Sequence, residues 1–168
     1  MKNLYLFLTS IFISNFISAQ VIIDCNSTRY DEEIFPNIIT TSDVVYGANN
    51  DYQGTNTVLK LDVYEPDGDT AAYRPLIVWV HGGSFVAGSK LDNDVVGLCQ
   101  HFAKRGYVCA SIEYRLGIAF PYNQTNATNA VYLGVQDMKA AIRFFRQDAA
   151  TTNTYRIDPD MIFGGGSS

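Results

Sequence analysis

From Leu76 onward the sequence alternates between two apolar patterns, and that alternation restricts the fold more than any other feature. Leu76-Ile77-Val78-Trp79-Val80, Tyr107 to Tyr114 and Met161-Ile162-Phe163 are short, nearly continuous apolar runs rich in β-branched and aromatic residues. Strands buried on both faces require such runs. Between them, apolar residues recur at helical spacing. Leu91, Val95, Leu98 and Phe102 form one stripe, and Val131, Val135, Met138, Ile142, Phe145 and Ala149 form another. Gly106, preceded by Lys104 and Arg105, stops the first helix. Thr128 or Asn129 caps the second, and Arg143 and Arg146 fall on its opposite side. Gly117 to Asn129 reads as a loop. Strand, helix, strand, helix, strand predicts a parallel sheet with right-handed crossovers. Ligands of such sheets sit beyond the carboxyl ends of the strands.

Two strands precede this unit. Asp43 to Ala48 is a short one, followed by a turn over Gly47 to Asp51. In Val58 to Tyr64, Leu59, Leu61 and Val63 alternate with Val58, Lys60, Asp62 and Tyr64, which predicts a half-buried strand paired as a hairpin with the first. Pro66-Asp67-Gly68 ends it, and Asp158-Pro159-Asp160 is read as a further turn. The expected organisation is a leader over 1–19, an irregular lead-in over 20–42 and one α/β domain over 43–168. With 47% hydrophobic and 13% aromatic residues, the 168-residue chain can build one core. A formal charge of -5 with no basic cluster excludes a nucleic-acid partner.

Leu4 to Ile17 is almost wholly apolar, follows Lys2 and ends in Ser18-Ala19. This is the pattern of a secretory signal peptide cut after Ala19, too short for an anchor that spans a bilayer. Secretion or a periplasmic location is expected, with no stable membrane anchor. Export permits disulfides. Of the three cysteines, Cys109 lies in an apolar run and is read as a buried thiol, leaving Cys25 and Cys99 as a pair or all three reduced. His81 and His101 have no ligand neighbours at metal-site spacing, and no metal is expected.

Five pieces stand out together: His81-Gly82-Gly83-Ser84-Phe85, Tyr114-Arg115-Leu116, Asp137, Ile157-Asp158-Pro159-Asp160 and Gly165-Gly166-Ser167-Ser168. In order and spacing, the chain from about residue 43 to its end resembles the secreted esterases and lipases of the α/β-hydrolase superfamily, on the carboxylesterase and hormone-sensitive-lipase side. The resemblance implies that Gly166-Ser167-Ser168 opens a Gly-x-Ser-x-Gly nucleophile elbow with Ser168 as nucleophile and Ser167 as the adjacent runner-up. It implies that the N–H groups of Gly83 and Ser84 hold the oxyanion, Ser84 standing where the family usually has a third glycine. His81 and Gly82 then support the loop. Neither His81 nor His101 is the catalytic base, because base and acid follow the serine in chain order. Asp137 ties the long helix to Arg115, and Glu113 and Asp92 are structural or solvent-facing.

No cofactor is implied, and the substrate is a small-molecule ester or an esterified polysaccharide. The same resemblance makes these residues the N-terminal part of the fold, truncated at the elbow, with five of about eight strands. Alone they are expected to be inactive, and marginally stable or prone to aggregate. A serine peptidase of the prolyl-oligopeptidase kind and a non-catalytic binding remnant are the alternatives.

Overall fold

The structure, a computed structural model, describes residues 28–118 and 121–168. Its elements are β1 (Ile38–Asn50), β2 (Asn56–Pro66), β3 (Arg74–Val80), α1 (Asn93–Lys104), β4 (Val108–Ile112), α2 (Gln124–Ala150) and β5 (Ile157–Gly166). The strands form one sheet in the order β1-β2-β4-β3-β5. β3 lies parallel to both β4 and β5, while β1 with β2, and β2 with β4, are antiparallel. The element order and the mixed pairing agree with the sequence pattern.

The apolar runs of β3 and β4 pack on both faces because the helices cover opposite sides of the sheet. Leu76 and Val78 of β3 pack with Val108, Ala110, Ala141 and Phe145 on the α2 side. Ile77 and Trp79 pack with Cys99, Ala103 and Cys109 on the α1 side. Each fully buried aliphatic or Phe side chain contributes about 1.5–3 kcal/mol. β2 follows its predicted alternation, with Leu59, Leu61 and Val63 on the α2 side. Its other face closes toward its C-terminal end, where Asp62 and Tyr64 are buried, while Asn56 and Val58 are exposed.

Several boundaries differ from the sequence reading. β1 begins at Ile38 and runs through Gly47 to Asn50, which pair with Leu59 to Asn56. The turn comes later because Asp51 supplies it: its carboxylate accepts the N–H groups of Gln53 and Thr55. Leu91 precedes α1 and is exposed, and the buried stripe is Val95, Cys99 and Ala103. α2 starts at Gln124, because Asn123 rather than Thr128 or Asn129 caps it, accepting the Asn126 N–H at 2.9 Å. The buried face of α2 is Ala130, Gly134, Asp137, Ala141 and Phe145, rotated from the expected stripe, so Val131 and Val135 are about half exposed. Small residues on that face let the helix approach the sheet and the loop after β3.

Asp158-Pro159-Asp160 lies inside β5 rather than between elements. There the register with β3 jumps from Arg74↔Ile157 to Leu76↔Ile162, and the Asp160 N–H bonds Asp158 Oδ1. Met161 to Phe163 is not a buried run: Met161 and Ile162 are half-buried and Phe163 is exposed, because α1 lies over β2, β3 and β4 and leaves β5 uncovered. Cys99 and Cys109 are both buried free thiols, so Cys99 does not stand as half of a bond. Cys25 and the expected signal peptide lie outside the described residues. Among the described residues, no helix is long and apolar enough to cross a membrane.

Candidate active site

The loop leaving β3 folds back on itself around a buried histidine. His81 stacks on Tyr114 with ring centroids 4.3 Å apart, and the Tyr114 hydroxyl donates to the His81 carbonyl at 3.0 Å. His81 Nδ1 lies 2.8 Å from the Gly82 carbonyl, which can only accept, so the proton is on Nδ1. Its Nε2 has no hydrogen-bond partner among the described residues and lies 3.7 Å from Glu113 Oε2. The Gly83 carbonyl accepts the N–H groups of Val86 and Ala87, which coils the next residues into a tight turn. Gly83 has φ 106°, and a Cβ there would overlap the Ala87 carbonyl, so only glycine fits. Ser84 and Phe85 follow at φ 56° and 61°, left-handed values that cost a residue with a Cβ about 1–2 kcal/mol each. The backbone geometry thus explains why glycine would suit position 84. Among the described residues, the Gly83 and Ser84 amides donate no hydrogen bond, which leaves them available to an acceptor.

The end of β5 meets this loop. A Cβ on Gly164, Gly165 or Gly166 would overlap Met138, Trp79 or Val80 respectively, so the glycine run lets β5 lie flush against its neighbours. The Ser167 N–H donates to the Val80 carbonyl at 3.2 Å and carries the β3–β5 pairing past Gly166. Both serines therefore sit beside Gly82: a Cβ there would lie 3.1 Å from Ser167 Oγ and 3.2 Å from Ser168 N. The serines differ in access. The Ser167 hydroxyl is buried without a hydrogen bond of full geometry, but it lies close enough to Asp94 to hold that carboxyl below its ordinary range, with help from the Val95 N–H. Ser168 is exposed.

His81, Gly82, Ser84, Ser167 and Ser168 line one cavity of about 170 Å³. Val80, Phe85, Tyr114, Gly134, Val135 and Met138 form the rest of its wall, which is apolar apart from the Tyr114 hydroxyl. Gly83 and Gly166 are not part of this lining. A larger cavity, about 390 Å³, lies elsewhere, between the β1–β2 hairpin and α2, around Arg115 and Asp137. Its central guanidinium is already committed to Asp137, the structural tie expected of that pair.

Buried ion pairs hold the loop's far end. Lys90 Nζ lies 2.7 Å from Asp62 Oδ1 and 3.4 Å from Asp43 Oδ1, its N–H bonds Glu113, and its carbonyl accepts the Ser111 hydroxyl. Burial pulls the Lys90 ammonium down, but the hydrogen bonds and charges of Asp62 and Asp43 together outweigh it and hold the group above its ordinary range. Asp92 accepts both the N–H and the hydroxyl of Ser89. Asp137 pairs with Arg115, as expected. His101 is exposed at the surface and paired with Glu33. Among the described residues, no group of three or more His, Cys, Asp or Glu could hold a metal ion. Sequence reasoning missed Lys90 and the partnership of Tyr114 with His81, and it passed over Gly134. An isolated glycine in a strong helical pattern was the available signal for the last.

Residues 61–168 match the BD-FAE family. The chain is 33% identical over 114 residues to the pyrethroid hydrolase Ces2a of Mus musculus, covering 66% of this chain and 20% of that protein. It is 34% identical over 106 residues to the neuroligin-like protein glit-1 of Caenorhabditis elegans, covering 62% of this chain and 13% of that protein. Among solved structures, the thermophilic esterase Est2 of Thermogutta terrifontis superposes with TM-score 0.56 at 30% identity, over 79% of this chain and 41% of that one. The chain thus spans about a fifth or less of the length of these curated relatives. Its mixed sheet of five strands with two helices is the N-terminal part of an α/β-hydrolase fold. Family match, fold and relatives agree: this chain belongs to the BD-FAE family, among the carboxylesterases and lipases of the α/β-hydrolase superfamily.

Proposed function

We propose that this chain supplies the nucleophile and part of the oxyanion hole of a serine esterase that cleaves carboxylic esters through an acyl-enzyme. The observation that carries the reading is the meeting of two strand ends: Ser168, exposed, shares a cavity with Ser84 and lies against Gly82. Ser168 Oγ attacks the acyl carbon, and the carbonyl oxygen becomes an anion. The free N–H groups of Gly83 and Ser84 receive it, each such donor being worth about 2.7–4 kcal/mol in the transition state. The alcohol leaves, and water releases the acid.

The apolar end of the cavity takes the acyl group. An apolar cavity of about 150 Å³ is known to accept benzene, so a group of that size fits here. The exposure of Ser168 leaves the alcohol side open to a small leaving group or to an esterified polysaccharide. The apolar run from Leu4 to Ile17 supports export. Serine chemistry also needs a base. His81 is buried with Nδ1 bound to Gly82, and His101 is paired with Glu33 at the surface. We infer that base and acid come from a longer parent chain, and that residues 1–168 alone do not turn over.

The test is fluorophosphonate labelling and p-nitrophenyl ester hydrolysis by the full-length protein. Label is expected on Ser168, and Ser168→Ala should lower kcat on the order of 10⁶-fold. Undiminished labelling and turnover in Ser168→Ala would overturn the reading. A wild-type protein that neither labels nor turns over would instead be a non-catalytic binding protein.

A further inference from the structure

We infer that Gly134 is a positioning residue for the oxyanion hole: bare helix backbone there seats the Phe85 ring, and the ring fixes the turn that aims the Ser84 N–H. The inference rests on the reading of Gly83 and Ser84 as oxyanion donors.

Gly134 sits in the interior of α2, where glycine is less favourable than alanine. It faces the loop rather than solvent. A Cβ there would come within 3.1 Å of Phe85 Cε1 and 3.5 Å of Tyr114 Cδ2, so alanine would have to displace a ring. Phe85 is one layer of a stack. Its ring meets Tyr114 edge-on at 5.7 Å, and Tyr114 lies flat on His81. Phe85 is also fixed through its backbone, because its carbonyl accepts the N–H groups of Gly117 and Ile118 at 3.1 and 3.3 Å. With the carbonyl pinned, a push on the ring has to be absorbed at the Phe85 and Ser84 torsions.

Those torsions are the strained ones. Consecutive left-handed residues with side chains persist only where their surroundings over-determine them. The stack of Gly134, Phe85, Tyr114 and His81 is that surrounding. It runs from α2 to the first residue after β3, so the two amides are held between a helix and a strand end. Catalytic donors need placement within about 0.5 Å. Phe85 and Gly134 also line the acyl cavity, but a shift of the Ser84 N–H weakens oxyanion binding for every ester, whatever its acyl length.

The experiment compares Gly134→Ala, Phe85→Leu and the double variant in the full-length enzyme, measuring melting temperature, kcat, KM and inhibition by a phenylboronic acid, which forms a tetrahedral anion on the serine. Gly134→Ala is expected to lower kcat severalfold, up to about 10-fold, at nearly constant KM, since a misplacement of about 1 Å can cost about 10²-fold. Boronate affinity should fall in parallel, and the loss should be the same for acetyl and butyryl esters. Phe85→Leu, which shortens the ring, should restore at least half of the logarithmic loss in the double variant. An unchanged kcat in Gly134→Ala overturns the inference, as does a loss confined to KM or graded with acyl length. If Gly134→Ala does not fold, the double variant decides: folded with near wild-type kcat supports the seat, and folded with kcat still depressed overturns it. Failure of the underlying reading looks different, because the wild-type enzyme would then show no boronate inhibition dependent on Ser168.

Discussion

Arg115 grips Asp137 from three directions. Its Nη2 lies 2.7 Å from Oδ1, its Nε 2.9 Å from Oδ2, and its own backbone N–H donates to Oδ2 at 2.8 Å. Both side chains are buried, and the pair ties the segment after β4 to the middle of α2. Removing one partner leaves the other charged and buried, which typically costs about 3–5 kcal/mol. Asp137→Ala should therefore shift the urea midpoint strongly downward. Arg115→Met/Asp137→Leu, which removes both charges, should recover most of that loss.

The left-handed turn predicts opposite outcomes at neighbouring positions. Ser84→Gly keeps the N–H and relieves a positive φ, so stability should rise by up to about 1 kcal/mol with esterase activity kept within a few-fold. Gly83→Ala drives a Cβ into the Ala87 carbonyl and should lower kcat about 10²–10³-fold, the usual cost of losing an oxyanion donor. Thermal melts and single-substrate kinetics on the full-length protein check both.

Stability should form a plateau bounded by different groups on each side. Burial pushes the Asp69 carboxyl up, but the Arg29 guanidinium, at 3.0 and 2.8 Å, and the Ala71 N–H outweigh it and hold the group below its ordinary range. A depressed folded value means this contribution is complete above about pH 4 and is lost as pH falls through it. On the alkaline side, burial pushes the Tyr64 phenol up to about 12, and Asp62 and Asp43 together keep Lys90 raised against its burial. Raised folded values give stability that is complete below about pH 10 and lost as pH climbs through them. Chemical denaturation across pH should show both flanks. Asp69→Asn should flatten the acid one, and the ultraviolet difference titration between wild type and Tyr64→Phe should place that phenol near 12.

Pattern reading succeeded where burial is two-sided. Leu76 to Val80 and the alternation at Leu59, Leu61 and Val63 were legible because each residue's environment follows from its parity along the strand. It failed where small residues do the packing. In α2 the large apolar residues Val131 and Val135 suggested one face, whereas Ala130, Gly134 and Ala141 make the contact, because close approach favours residues that hydrophobic stripes undercount. Asn123 was passed over because a polar run contains several candidate caps, and Asp51 was read as the end of its turn where it is the start; only the chain path selects between such alternatives. At the site, the resemblance to esterases pointed to the two loops that meet at Gly82. The stack of His81, Tyr114 and Phe85 was not, since it joins residues from different elements through ring geometry that no local pattern encodes.

The parallel pairing of β3 with β5 has a kinetic consequence. The β1–β2 hairpin can close locally, whereas β3 must wait for α1, β4 and α2 to be laid down before β5 can dock beside it. Contacts between distant parts of a chain are intrinsically slow to form. The corner that brings Ser168 to Gly82 should thus be among the last parts of the molecule to assemble. In stopped-flow refolding, reactivity of that serine should appear with the slowest phase, after most of the far-ultraviolet signal has recovered.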